Sequence, residues 1–111
     1  MQDLTPFSRS TKEAAVTREP IHPGEFLADE LHELGMSAAA LARTIRVPAN
    51  RISQIVSGKR NITADTALRL GRSFGTGPQI WLNLQQAYEL DLAQREIAPE
   101  IETIPRRQAA P

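Results

Sequence analysis

Ser37–Thr63 reads SAAALARTIRVPANRISQIVSGKRNIT. Ser37 supplies a side-chain oxygen for the free backbone donors of a helix start. Ala38 to Thr44 follow, with Leu41, Ala42 and Ile45 on one side, and the alanines let a neighbouring helix approach closely. Ile45-Arg46-Val47 forms a turn. Pro48 then opens a second helix, where its fixed φ suits the first position and its missing N–H is not needed. In that helix Ile52, Ile55 and Val56 face inward. Ala49, Asn50, Arg51, Ser53 and Gln54 lie at the front or outside, and Gly58 ends it after Ser57. The stretch contains no Asp or Glu, and Arg43, Arg46, Arg51, Lys59 and Arg60 make it strongly positive.

Two short helices around a tight turn, with a polar outer face and a basic loop behind, point to a helix-turn-helix that reads DNA. Asn and Gln amides pair bidentately with adenine, and an arginine fork with guanine, in the major groove. Ala49 offers an apolar contact, for example to a thymine methyl. The base-reading set is therefore Ala49, Asn50, Arg51, Ser53 and Gln54. Lys59, Arg60, Asn61 and Thr63, with Ser37 and Arg46, suit phosphate contacts, which position the protein without specifying sequence. Asn61 and Thr63 also read as turn and cap residues.

Downstream, Thr63 caps a helix over Ala64–Phe74, with Asp65 favourable at its N-terminus and Ala67, Leu70, Gly71 and Phe74 inward. Gly75-Thr76-Gly77-Pro78 breaks it. A last helix opens at Pro78 and runs to about Arg95. Its stripe of Ile80, Trp81, Leu84, Ala87 and Tyr88 closes a monomer core, and Leu82, Leu90 and Leu92 fall beyond it. That surplus points to self-association, with Trp81, Leu82, Gln85, Leu90 and Leu92 as the expected dimer interface. Upstream, Pro23 opens a helix to about Leu34 with Phe26, Leu27, Leu31 and Leu34 on one face, and Gly35 fits a left-handed cap. The expected architecture is all-α: a compact five-helix domain over residues 21–95, a flexible arm over 1–20 and a tail over 96–111. From Ile97 the run IAPEIETIPRRQAAP alternates apolar and polar residues, as one short edge strand or a tail would.

A length of 111 residues with 41% hydrophobic content suits one small domain with a modest core. There is no cysteine, and His22 and His32 stand ten residues apart without ligand spacing, so no metal site or cofactor is expected. His22 reads as a contact of the leading loop and His32 as a surface residue. No apolar run reaches the ~18 residues of a membrane span, and the N-terminus lacks a signal-like apolar core, which points to a cytoplasmic protein. The formal net charge is zero, but seven cations against Asp65 alone give Leu34–Arg72 a net +6. Acidic stretches flank this basic middle, so the charge is polarised toward a polyanion-facing patch. No nucleophile–base pair, glycine-rich phosphate loop or metal cluster supports catalysis.

The segments HPGEFLADELHELGMS, LARTIRVPANRISQIVSGKR, ITADTALRLGRSFGT and WLNLQQAYEL, which span about Ile21 to Leu92, resemble the HigA-type antitoxins. These are a branch of the XRE, lambda-repressor-like helix-turn-helix superfamily. The resemblance implies five α-helices, a homodimer and binding to an inverted-repeat operator in the protein's own promoter. It also implies a partner, a HigB toxin of the RelE-like mRNA endonuclease type, whose activity the antitoxin neutralises. In the superfamily pattern the base-reading positions fall here on Ala49, Asn50, Arg51 and Gln54. Ala38 stands where a Gln is often found, and Arg46 where the turn commonly has Gly. A stand-alone regulator without a toxin, or an interaction protein that has lost DNA binding, would share the same fold.

Overall fold

Helix ends set the layout. The computed structural model of the protein describes residues 19–108, and the expected arm lies almost wholly outside them. The order is α1 (Pro23–Leu34), α2 (Ala38–Ile45), α3 (Ala49–Val56), α4 (Ala64–Phe74) and α5 (Gln79–Ile101). Among the described residues there is no strand.

Local chemistry explains most of these boundaries. The Gly24 N–H donates to Nδ1 of His22 at 2.8 Å, so the imidazole caps α1. Gly35 closes α1 in the left-handed conformation with φ 63°. Ser37 Oγ accepts from the Ala40 N–H at 3.0 Å and opens α2. Pro48 stands one residue before α3 as its extended N-cap rather than inside it. Thr63 Oγ1 caps α4, accepting from the Thr66 N–H.

The core gathers apolar residues from every helix: Leu27 and Leu31, Leu41, Ala42 and Ile45, Ile52 and Ile55, Ala67 and Leu70, and Trp81, with Ile62 from the α3–α4 loop. Two expected members of α1 are outside it, since Phe26 is 36% and Leu34 55% exposed. Leu27 and Leu31, one turn apart, carry the inner face together with the buried Pro23 and Gly24.

Close backbone approach replaces side chains at two points. A Cβ on Gly24 would fall on the carbonyl of Ile55, so α1 lies directly against the end of α3. A Cβ on Gly71 would meet the backbone of Gly77 and Pro78, where the chain folds from α4 into α5. Both glycines serve as contact surfaces whose lack of a side chain sets the helix spacing.

α5 departs from expectation in two ways. It continues to Ile101, through Pro99, and is followed by a turn in which the Thr103 and Ile104 N–H groups bond Glu100 and Ile101. The expected edge strand or tail from Ile97 is therefore helical over its first five residues. Proline carries a helical φ, and this close to the helix end it removes only one backbone bond. Second, only Trp81 and Gln85 of α5 are buried, while Ile80 is 48% exposed and Ala87 is also exposed. Trp81 stacks near Phe74, with ring centroids 5.7 Å apart. Gln85 Oε1 accepts from the buried Ile62 N–H at 2.8 Å, and its Nε2 donates to Glu89. Trp81 takes its expected place in the core stripe, and both residues, which the sequence also places at a dimer interface, are buried within the chain itself. Leu82 is half-buried, and Leu90 and Leu92 remain 63% and 44% exposed.

Candidate nucleic-acid interface

α3 spends Ile52 and Ile55 on the core, and both are fully buried. Its 3.6-residue period then turns Ala49, Asn50 and Ser53 to solvent and leaves Arg51 and Gln54 at the flanks, half-buried. All five candidate base readers thus lie along one accessible side of one short helix. Lys59, Arg60 and Asn61 follow in the loop and are exposed. Gly58, with φ 79°, turns the chain there, and the Lys59 N–H bonds back to the Gln54 carbonyl at 2.8 Å.

Ser37 and Thr63 are exposed at the N-termini of α2 and α4, with their hydroxyl oxygens engaged as caps. Arg46 is the one non-glycine residue with positive φ among the described residues, at 65°. It takes the left-handed turn position that favours glycine, at a backbone cost of about 1–2 kcal/mol. The turn therefore keeps the usual geometry and presents an exposed arginine from it.

The two flanking readers are paired with residues outside α3. Arg51 Nη1 donates to Asp65 Oδ2 at 2.7 Å. Asp65 also accepts from Arg69 Nε at 3.1 Å, and Arg69 Nη1 donates to the Ile45 and Arg46 carbonyls at 2.8 and 3.3 Å. The Arg51 and Arg69 guanidiniums hold the Asp65 carboxyl below its usual range. Gln54 Oε1 accepts from Arg60 Nε at 2.9 Å, which directs the amide NH2 of Gln54 outward as a donor. Sequence reading placed Asp65 only at a helix terminus. Its i,i+4 spacing to Arg69 was a visible signal, but its contact to Arg51 spans fourteen residues and was not.

His22 lies behind this face, where α1, the α3–α4 loop and α5 meet. It is buried, its ring meets Tyr88 edge-on with centroids 4.8 Å apart, and Gly58 approaches it. Burial lowers its pKa from 6.5, against the opposing charge of Glu25. The neutral ring is the one that accepts the Gly24 N–H. A lowered folded pKa means that the fold is fully favoured above about pH 6.5 and loses stability as pH falls through the folded value. Thermal melts should therefore drop as pH falls below about 6.5, ahead of the range in which most carboxylates titrate. His22→Asn, which keeps a capping acceptor, should flatten that segment of the profile. His32, by contrast, is exposed on α1.

Among the described residues, no group of three or more His, Cys, Asp or Glu side chains is placed to hold a metal ion. No described helix is long and apolar enough to cross a membrane.

Comparison with known proteins adds an independent line. The helix-turn-helix family matches residues 27–81. A solved addiction-module antidote protein of the HigA family from Coxiella burnetii is 49% identical, with a TM-score of 0.77 over 81% of this chain and 99% of its own. The Pseudomonas aeruginosa antitoxin HigA, solved with the higBA promoter, is 46% identical, with a TM-score of 0.75 over 82% of this chain and 100% of its own. Virulence-associated protein I of Dichelobacter nodosus is 53% identical over 77 residues, or 68% of this chain and 71% of its own.

Proposed function

Because the chain belongs to the HigA-type antitoxins of the helix-turn-helix superfamily, as its match to these solved antitoxins shows, we propose that it is a dimeric repressor of its own operon. It neutralises a HigB toxin of the RelE-like mRNA endonuclease class. The observation that carries the DNA-binding half is the accessible polar side of α3, continued by Lys59 and Arg60 in a stretch free of acids.

In this reading α3 enters the major groove. Asn50 and Gln54 face base edges as amides, Arg51 presents its fork to a guanine, and Ala49 meets a thymine methyl. Ser53 completes the reading face. Lys59, Arg60 and Asn61 sit over the phosphates, with Arg46 at the turn and the Ser37 and Thr63 helix starts contributing their N-termini. A dimer formed through Leu82, Leu90 and Leu92 sets two α3 helices about 34 Å apart, matched to an inverted repeat. The exposed acids of α1, Glu25, Asp29, Glu30 and Glu33, suit a basic, RNA-cleaving partner. Residues 1–20 and the end of the chain after Ile101 offer further toxin contacts.

The test is a mobility-shift titration on the protein's own promoter and on random DNA. Arg51→Ala should weaken promoter binding by about 1–3 kcal/mol and relax preference at one base pair. Equal loss on both DNAs would remove Arg51 from base reading. For the toxin, co-expression with the adjacent reading frame should yield a co-purifying pair and restore growth. Growth arrest despite the antitoxin would end that half of the proposal.

A further inference from the structure

We infer that Asp65 is a positioning residue for base readout: it holds the Arg51 guanidinium by one edge and so presents the other edge to the DNA. The inference rests on the reading of Arg51 as a base contact.

Asp65 is the only acid between Leu34 and Arg72, and it stands beside the reading helix. A carboxylate so close to a polyanion opposes binding unless it serves another end. The start of α4 is already capped by Thr63, so the helix does not require it. The contact of Asp65 with Arg51 crosses from α4 to α3, and that of Arg69 with the Ile45 and Arg46 carbonyls crosses from α4 to α2. A continuous chain of charge-assisted bonds thus runs from the end of α2 through Arg69 and Asp65 to Arg51.

Its effect on Arg51 is geometric. With Nη1 given to Asp65, the edge formed by Nε and Nη2 remains. That edge carries two parallel N–H donors, the fork that matches O6 and N7 of guanine. Asp65 therefore restricts a long side chain to one orientation before DNA arrives and rejects base edges that present a donor there. Arg51 is 27% and Asp65 55% exposed, so the ion pair itself adds little to fold stability.

The experiment measures binding to the promoter, to a set of promoters with single base-pair changes, and to random DNA. It uses wild type, Arg51→Ala, Asp65→Asn and the double variant. Asp65→Asn should lower the preference at the base pair read by Arg51 by roughly fivefold while binding random DNA slightly more tightly. The double variant should lose no more preference than Arg51→Ala alone. Asp65→Ser, which keeps a polar group at the helix start, should repeat the pattern, with melting temperatures near wild type for both. A purely structural role would move the melting temperature and weaken all sequences alike. If Arg51→Ala relaxes one base pair and both Asp65 variants keep wild-type preference there, the positioning role falls and Arg51 stays a reader. If Arg51→Ala weakens every sequence equally, the base-reading role falls and the role of Asp65 falls with it.

Discussion

Gly24→Ala should destabilise the fold by about 3 kcal/mol or more. The added Cβ would land on the Ile55 carbonyl, far inside the 3.0 Å that such contacts respect, and both sides are backbone. No rotamer change relieves it. Relief requires α1 to lift from α3, which opens the core at Leu27 and Ile55 and disturbs the His22 cap beside it. Urea unfolding followed by circular dichroism measures this directly. Gly35→Ala is the matched control: its Cβ would meet nothing within 4 Å, and only the left-handed φ of 63° resists it. That penalty is about 1–2 kcal/mol, so the two alanine variants should differ clearly.

The second large effect concerns DNA. Lys59→Ala combined with Arg60→Ala should weaken binding to every sequence by on the order of 100-fold at moderate salt. Both side chains are exposed at the end of α3, and neither contributes to the core. Each lost phosphate contact should reduce the slope of log K against log salt by about 0.9, or roughly 2 per protomer. Filter binding or fluorescence anisotropy across a salt series reads both quantities. The loss should be nearly uniform across sequences, with a small extra change at the base pair facing Gln54, because Arg60 holds its amide oxygen at 2.9 Å. A loss confined to one base pair would make these residues readers rather than anchors.

What could be read from the chain alone was what its chemistry settles locally. Ser37, Thr63 and Gly35 marked helix ends, and α4 runs over Ala64–Phe74 as its cap and glycine signals indicate. The inward residues of α2 and α3 followed from periodicity, and so did the accessible set on α3. Three features were hidden because their partners are distant. Gln85 reads from the sequence as an interface residue, yet its amide oxygen accepts from the N–H of Ile62, twenty-three residues earlier. Arg51 finds Asp65 fourteen residues away, and Gln54 finds Arg60 across the loop. The end of α5 was misjudged for a different reason. Ile97, Ile101 and Ile104 are spaced by four and three, a helical period, but the prolines around them suggested an extended chain. Pro99 is tolerated because it falls so near the helix end.

The length of α5 has a consequence for how that end is held. Twenty-three residues at 1.5 Å each make a rod of about 35 Å, and only Trp81 and Gln85 of it are buried. Leu82, Leu84 and Tyr88 still pack on the globule, but beyond Tyr88 the rod draws little of its helicity from packing. It has instead a template: the anchored first turns act as a nucleus already formed, so each further turn needs only propagation, the inexpensive step of the helix–coil transition. The far end then behaves as a zipper that frays from Ile101 inward while the globule stays shut. Any surface that settles on Leu90, Leu92 and Ile97 would suppress that fraying. Amide exchange along α5 would thus report occupancy of the rod residue by residue, separately from the stability of the core.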